Sequence, residues 1–354
     1  MRALTIALLL LAAAAAFAQE EESPYSETIF VVRYALDVRV TDSFGKAIDD
    51  LEAEEFIVKI GGKVAHVESV TWVAQGRVAN PGSSEFLGSS ESLGSSTEEL
   101  RGTRGTAAQR SIVLFIQTDI ARANDRVLGQ MRFNYFADKV LKLLGPNDRV
   151  AVLSHDSHLK FRRDFTFDRQ SIRKAVRESL FIDSPPPPAP TTNGTSLTAL
   201  LDPKEMKKAA HAEAALSIIA NALHAIEGPR MIILAGWGIG ELQGRAGVQL
   251  KPEWYDAVHT LRNDHIPVIS LDTGLRAQLT SGLIATAGAT GGVYGATQDF
   301  DYLALARVES ALAGHYALTL RIDDLLEPGE YPLDIRVTRK GLDVQAPSFV
   351  VHGR

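Results

Sequence analysis

Cysteine is absent from the 354-residue chain, and the formal net charge is −6 rather than positive. Without thiols the protein can form no disulfide, no thiolate zinc site, no iron–sulfur cluster and no cysteine-based nucleophile. The slight acidity argues against a nucleic-acid partner, which requires a basic surface. Hydrophobic residues make up 45% of the chain, which excludes wholesale disorder. We therefore expect a globular protein of about two domains.

Only one long apolar run is present, and it lies at the amino terminus. Arg2 precedes an apolar stretch over residues 4–16, and Ala16-Phe17-Ala18 forms a small-x-small cleavage motif before an acidic segment. This pattern predicts a secretory signal peptide over residues 1–18. The alternative is an uncleaved anchor, but the run is shorter than the ~20 residues that a span needs. We expect an exported protein, periplasmic or extracellular, with no transmembrane span after cleavage.

Composition divides the remaining chain into four segments. Strand patterns rich in β-branched residues occupy an N-terminal β module over 28–75 and return in a C-terminal β segment over 314–354. Residues 76–109 repeat Leu-Gly-Ser-Ser and have the composition of a disordered linker. Because three strands form a poor independent core, we expect the two β segments to pack together and to form one β-sandwich. Two separate β modules are the alternative.

The segment over 110–313 alternates strand and helix patterns. Continuous apolar runs of strand length alternate with helical periodicity, which is typical of a parallel sheet covered on both faces. We predict an α/β domain with a doubly wound, mostly parallel, Rossmann-like sheet. The predicted strands are 111–116, 149–154, 231–235, 267–271 and 293–294, and the predicted helices are 127–144, 168–180, 203–226, 253–263, 276–287 and 302–313.

Doubly wound sheets bind ligands at the carboxyl ends of their strands, near the reversal of strand order. The residues that follow the predicted strands are therefore candidates for a binding rim. We also expect the loop before the long predicted helix to face this rim. The candidates are Gln117, Asp119, Thr195, Ser196, Gly236, Trp237 and Asp272.

Several short phrases, taken in order, resemble the von Willebrand factor type A (VWFA-related) proteins exported by acidobacteria. Residues 43–56 are similar to the opening phrase of that family, and 147–156 and 266–274 are similar to two of its strands. Residues 286–292 and 315–318 match its closing phrases. The resemblance covers most of the mature chain outside the linker and implies a VWA-like fold for the α/β domain.

The resemblance also implies a metal-ion-dependent adhesion site, from which this chain departs. In that family a D-x-S-x-S motif supplies a carboxylate and two hydroxyls to Mg²⁺, a cation that favours anionic oxygens. Here the motif falls on Gln117, Asp119 and Ala121, and a later aspartate of the family falls on Gly236. We therefore expect a degenerate site with no bound metal and no other cofactor.

Three functions remain open at this stage. The first is a non-enzymatic protein-binding or assembly protein of the cell envelope, whose rim contacts a protein partner through Trp237 if that side chain is exposed rather than packed under a loop. The second is an adhesin-like domain with a shifted Mg²⁺ site built from Asp119, Thr195 and Asp272. The third is an envelope hydrolase, although no nucleophile–base pair stands at a recognisable spacing.

Overall fold

The computed structural model describes residues 32–74, 77–78, 109–118, 123–179, 181, 195–243, 247–274, 279–297, 301–323 and 326–353, with only the backbone described at 77–78 and 123–132. The predicted signal peptide over 1–18 and Asp119 lie outside the described residues. The predicted linker over 76–109 lies outside them too, except at 77–78 and 109. Among the helices that are described, none is long and apolar enough to cross a membrane.

The chain begins and ends in β structure and is mixed α/β between. The first strands are β1 (Val32–Asp42), β2 (Phe56–Ile60), β3 (Lys63–Ala74) and β4 (Arg77–Val78). The middle contains β5 (Arg110–Gln117), α1 (Ala123–Leu143), β6 (Asp148–His155), β7 (Leu159–Thr166), α2 (Arg169–Glu178), α3 (Pro203–Lys208), α4 (Ala212–His224), β8 (Arg230–Gly236), β9 (Glu241–Leu242), β10 (Val248–Gln249), α5 (Pro252–Asn263), β11 (Val268–Asp272), α6 (Thr280–Ala289), β12 (Tyr294–Ala296) and α7 (Asp301–Ala313). The last strands are β13 (Gly314–Ile322), β14 (Gly329–Val337), β15 (Leu342–Gln345) and β16 (Phe349–His352).

A six-stranded mixed sheet forms the centre of the α/β unit, in the order β12-β11-β8-β5-β6-β7. All neighbours pair in parallel except β6 and β7, which are antiparallel. Side chains of β5 alternate between two cores: Val113 and Phe115 face α3, α4, α5 and α6, whereas Ile112 and Leu114 face α1, α2 and α7. Both faces of the strand are buried, which explains why its sequence is continuously apolar.

Strand β7 is absent from the sequence-based prediction, which assigns a turn after His155 and no strand before residue 168. Four of its eight residues, in the sequence LKFRRDFT, are charged, and charged residues are depleted in strands. The structure buries three of the four and gives each a partner: Lys160 contacts the Asp156 carboxylate at 2.5 Å, Arg162 donates to Ser154, and Asp164 accepts from Ser196. The charged residues therefore obscure the strand pattern in the sequence. Tertiary contacts stabilise β7 as an edge strand.

The single helix predicted over 203–226 is two helices, α3 and α4, separated at residues 209–211. His211 has an extended backbone and acts as the N-cap of α4, because its Nδ1 accepts a hydrogen bond from the amide of Ala214 at 3.2 Å. The break ends one helix and directs the start of the next towards the carboxyl ends of the parallel strands.

The two terminal β segments form one curled antiparallel sheet, in the order β15-β1-β13-β3-β2-β14-β16, with β4 beside β3. Strands from the two ends of the chain interleave: Leu318 of β13 lies opposite Leu36 of β1 on one side and Val70 of β3 on the other. Their core includes Val38, Ile60 and Tyr316. The arrangement is thus a joint sheet rather than two separate β modules, and the α/β unit is inserted within it.

Candidate binding rim

The order of the parallel strands reverses between β5 and β8, which are neighbours in the sheet although the chain forms β6 and β7 between them. The strand register places Gln117 of β5 opposite His155 of β6, and Asp272 of β11 opposite Gly236 of β8. These four residues therefore lie in one row at the carboxyl ends of four adjacent strands. This row is where a doubly wound sheet presents its ligand-binding crevice, and we call it the rim.

Gln117 and Gly236 occupy one shared space. A Cβ atom added to Gly236 would lie 2.9 Å from the Cβ of Gln117 and closer still to its Oε1. Real Cβ atoms do not approach so closely, so no larger residue fits at position 236 while Gln117 keeps its conformation. The two positions are thus coupled: the glutamine side chain fills the space that a side chain at 236 would need.

Asp272 is buried, with 2% of its surface exposed, and both carboxylate oxygens accept hydrogen bonds. The amide of Gly274 donates to Oδ1 at 2.8 Å, while the hydroxyls of Thr280 and Tyr294 donate to Oδ2 at 2.9 and 3.1 Å. Burial, and then the Asp272 charge, raise the pKa of the Tyr294 hydroxyl well above its ordinary value. The carboxylate therefore fixes the loop after β11 to α6 and β12.

The structure does not bring Thr195 and Ser196 to the rim, contrary to the expectation for their loop. The carbonyl of Thr195 accepts a hydrogen bond from Arg149, which stands at the start of β6. The hydroxyl of Ser196 donates to Asp164 of β7, whose antiparallel direction brings its end beside the start of β6. Both residues therefore lie at the amino ends of the parallel strands, across the sheet from Asp272.

Trp237 follows β8 but is only 3% exposed, so it is not a surface anchor. It packs under the loop after β11: a Cβ added to Gly274 would lie 2.9 Å from the Trp237 Cβ. Its indole Nε1 is buried and has no hydrogen-bond partner. Trp237 thus forms an inner wall of the rim and leaves one donor unsatisfied.

Two residues beside the rim, His211 and Glu213, are absent from the sequence-based candidates. Glu213, in the first turn of α4, is 2% exposed, and its Oε1 has no hydrogen-bond partner. Its Oε2 lies 3.5 Å from Nδ1 of His211, and Nε2 of His211 lies 3.7 Å from Glu253. One glutamate within the apolar run Ala212–Ile219 is the sequence signal that points to a buried carboxylate.

A crevice of about 180 Å³ lies between these groups. Gln117, Trp237 and Glu213 line it, and each has a buried polar atom without a partner: Oε1, Nε1 and Oε1 respectively. The ion pair between Lys251 and Glu241, 2.6 Å apart, lies at its mouth. The crevice therefore contains two unsatisfied acceptors, one of them a carboxylate oxygen, and one unsatisfied donor.

The neighbouring polar groups on the β6 side are engaged in the fold. His155 Nε2 lies 3.0 Å from the carbonyl of Ala209, and Asp156 pairs with buried Lys160. Burial favours a higher pKa for Asp156, but hydrogen bonds from Lys160 and Ser157 outweigh it and lower that pKa below its ordinary value. These contacts attach the break between α3 and α4 to the edge of the sheet.

Among the described residues, those considered for Mg²⁺ do not come together as a set of oxygen donors, and Asp119 lies outside the described residues. Gln117 fills the space at Gly236, Asp272 already accepts three hydrogen bonds, and Thr195 lies at the other edge of the sheet. Within the part of the chain that the structure describes, no three histidine or acidic side chains converge as a metal-binding group.

No protein-family model matches the chain, and no curated protein matches it in sequence. In structure it is similar to a von Willebrand factor type A protein from Catenulispora acidiphila, with 10% identity, a TM-score of 0.40, and coverage of 92% of this chain and 74% of that one. It is also similar to proximal thread matrix protein 1 of the mussel byssus, with 13% identity, a TM-score of 0.37, and coverage of 60% and 48%, about half the length of the mussel protein. A third similar structure is the conserved hypothetical protein BatB from Bacteroides thetaiotaomicron, with 13% identity, a TM-score of 0.36, and coverage of 57% and 98%.

Proposed function

We propose that this chain is an exported, non-enzymatic protein-binding or assembly protein of the cell envelope. In this proposal the rim receives a protein partner and contains no metal. The observation that carries it is the convergence of three unpartnered buried polar atoms, on Gln117, Glu213 and Trp237, in one crevice at the reversal of strand order. A buried polar group without a partner costs about 1–3 kcal/mol, so a bound group that supplies the missing hydrogen bonds gains that energy.

The size of the crevice favours a macromolecular partner. Its volume of about 180 Å³ is below the ~300–1,000 Å³ of pockets that enclose small molecules. It can admit one side chain of a partner whose remaining surface contacts the rest of the rim.

The charge of the crevice indicates which kind of partner side chain it admits. The free oxygen of Glu213 is a carboxylate acceptor in a nearly water-free position, where a charge-assisted hydrogen bond is strong. The Lys251 cation at the mouth is already paired with Glu241. We propose that a lysine or arginine of the partner enters the crevice and donates to Glu213 and Gln117.

The proposal is tested with defined peptides. An array of 15-residue probes with a central lysine is compared with the same array carrying acetyl-lysine, which has no charge. We expect lysine probes to bind the wild type and to lose at least about tenfold in affinity in Glu213→Gln, since tenfold corresponds to ~1.4 kcal/mol. Glu178→Gln, which alters a half-exposed glutamate on α2, is the matched control and retains wild-type binding.

Equal binding of lysine and acetyl-lysine probes, or equal affinity in Glu213→Gln and wild type, would show that the crevice does not recognise a cation. Analysis of the same probes after incubation tests the hydrolase alternative, together with a panel of ester substrates. Cleavage that is absent in a sample heated beyond unfolding would contradict the non-enzymatic proposal.

A further inference from the structure

A second cavity, of about 310 Å³, lies at the amino ends of the parallel strands, where the α/β unit meets the curled sheet. Its walls include the starts of β5, β8 and β13, the residues before β11 and the middle of β1. Three arginines line it, namely Arg39 of β1, Arg110 of β5 and Arg230 of β8. The cavity is on the opposite edge of the sheet from the rim, so an inference about it is independent of the proposed function.

Arg110 is fully engaged by the protein. Its Nε and Nη2 donate to the two oxygens of Asp148 at 2.9 and 2.8 Å, and its Nη1 donates to the carbonyl of Leu312 at 2.9 Å. Both partners of this bidentate ion pair are buried. Its charge is therefore compensated inside the fold and leaves little for a ligand.

The other two arginines contact main-chain carbonyls instead of carboxylates. Arg39 is 4% exposed, its Nη1 donates to the carbonyl of Gly291 at 2.5 Å, and its Nε has no partner. Arg230 donates from Nη1 to the carbonyl of Leu223 and from Nη2 to that of Asp264, and its Nε also has no partner. Carbonyl oxygens satisfy hydrogen bonds but do not neutralise a charge, so neither guanidinium forms an ion pair through these contacts.

The two carboxylates of the cavity are directed to histidines. Asp37 lies 3.1 Å from Nδ1 of His265 and 3.4 Å from Nε2 of His315. Asp264 lies 2.7 Å from Nδ1 of His224. Neither carboxylate forms a direct ion pair with Arg39 or Arg230 among the described residues, although the Asp37 charge acts on Arg39 over a longer distance.

Burial without a direct ion-pair partner lowers the pKa of Arg39. Desolvation lowers the pKa of Arg39 to about 10, although the Asp37 charge opposes this change and the Arg110 charge adds to it. Burying a charge costs free energy unless a group of opposite charge pairs with it. An anion beside these two arginines, which both line the cavity, would reduce this cost.

We infer that this cavity binds a small oxyanion of the phosphate or sulfate type, held by Arg39 and Arg230. A planar guanidinium donates paired N–H groups that match the oxygens of such an anion. Two guanidinium groups without a direct ion-pair partner match an anion with several oxygens better than they match chloride. Bound there, the anion joins β1 of the curled sheet to β8 of the parallel sheet and so stabilises the junction of the two units.

The inference is tested by thermal unfolding with inorganic phosphate as the probe, against sodium chloride at the same pH and ionic strength. We expect a saturable rise of a few degrees in the Tm of the wild type in phosphate, and a smaller one in acetate. Phosphate and sulfate also stabilise proteins without binding them, so variants must separate the two effects. Arg230→Gln loses the saturable part, whereas Arg163→Gln, which alters an exposed arginine on β7, keeps it.

Equal saturable shifts in the wild type, Arg230→Gln and Arg163→Gln would overturn the inference, as would the absence of any shift beyond that in chloride. A measurement on the folded wild type covers the case in which Arg230→Gln does not fold. Phenylglyoxal modification, followed by peptide mass spectrometry, should slow at Arg230 in phosphate and stay unchanged at Arg163. Unchanged modification at both arginines would overturn the inference as well.

Discussion

The two edges of the parallel sheet leave opposite kinds of polar atoms without partners. At the carboxyl edge these are chiefly acceptors, Oε1 of Gln117 and Oε1 of Glu213. At the amino edge they are donors, Nε of Arg39 and Nε of Arg230. The crevice at the carboxyl edge is therefore lined by residues with unsatisfied acceptors, and the cavity at the amino edge is lined by arginines with unsatisfied donors.

This difference shows that position on the fold does not determine what a site binds. The carboxyl edge is where the topology predicts a ligand, yet its central carboxylate, Asp272, is used up by internal hydrogen bonds. The amino edge has no such topological expectation, but the insertion of the α/β unit into a second sheet brings Arg39 against it. The contrast can be tested at each edge by removing one group at a time.

The largest expected effect is at the amino edge, in the buried ion pair between Arg110 and Asp148. Replacing Asp148 by alanine leaves the guanidinium of Arg110 buried without its partner, and such changes cost about 3–5 kcal/mol. Urea unfolding of Asp148→Ala should show this loss of stability. Asp138→Ala removes an exposed partner of Arg173 and is the control, with a loss within ~1 kcal/mol. Similar losses in both variants would contradict a dominant role for the buried pair.

At the carboxyl edge, Asp272→Asn should lower the free energy of unfolding by about 1–3 kcal/mol, because the acceptor of the Thr280 and Tyr294 hydroxyls is weakened. The loss should be the same in EDTA and in millimolar Mg²⁺, since the carboxylate has a structural role. A wild-type stability that rises with Mg²⁺ and no longer does so in Asp272→Asn would instead revive the metal-dependent alternative.

Trp237→Phe sharpens the comparison by removing one unpartnered donor while retaining a buried aromatic ring. The free energy of unfolding should fall through the cavity that the smaller ring leaves, but by less than in a variant that also loses a hydrogen bond. Binding of the lysine probes should weaken if the indole Nε1–H contacts the partner. Trp254→Phe is the contrasting variant, since its indole donates to Thr286 at 2.8 Å, and it should lose stability but not binding. A loss of stability in Trp237→Phe as large as that in Trp254→Phe would mean that the Trp237 donor is satisfied in solution.

The smallest expected effect is a pH dependence at the amino edge. The hydrogen bond with Asp37 raises the pKa of His265 above its ordinary 6.5, against the effect of burial. Burial alone would raise the pKa of Asp37, but bonds from His265 and His315 hold it far below its ordinary 3.8. The ion pair therefore contributes its full stabilisation between pH 3.8 and pH 6.5, the ordinary pKa values of its two members. Its contribution declines as the pH rises through the elevated pKa of His265, and it declines at the other end as acid protonates Asp37.

The measurement is the free energy of unfolding of wild type and His265→Asn from pH 4 to 9. Asparagine is chosen because residue 265 has a positive φ of 55°, which asparagine tolerates. The difference between the two proteins should be largest below pH 6.5 and should shrink above it. His259→Asn, at a histidine that contacts Asn263, should show no such trend. A difference that is constant with pH would show that the titration of His265 does not affect the stability of the fold.

Sequence patterns predicted the mixed α/β unit, both helical layers and the pairing of the two terminal β segments. They succeeded where the signal is a continuous apolar run, as in β5 and β8. They were wrong about β7, whose buried charged residues contact Ser154, Asp156 and Ser196, and about the break at His211, which interrupts an otherwise helical pattern. The signal peptide over 1–18 and the proposed role of Asp119 remain predictions, because they lie outside the described residues.

The strand-end positions of several candidate residues followed from the sequence, whereas their role as a binding rim stays a prediction. Gln117, Gly236, Trp237 and Asp272 end adjacent strands as expected, because strand ends follow from local patterns of burial. Thr195 and Ser196 were misplaced because the path of a loop depends on distant partners, here Arg149 and Asp164.

Local periodicity is encoded in neighbouring residues, so the chain's own pattern of apolar and polar positions predicts most of its strands and helices, but not β7 or the break at His211. Whether a buried polar atom has a partner depends on residues far apart in the chain. That is why Asp272 is saturated while Glu213 is not, and why Arg39 and Arg230, 191 positions apart in the sequence, face one cavity. Packing of the two sheets against each other settles these points, because hydrogen bonds and charge compensation require proximity in space.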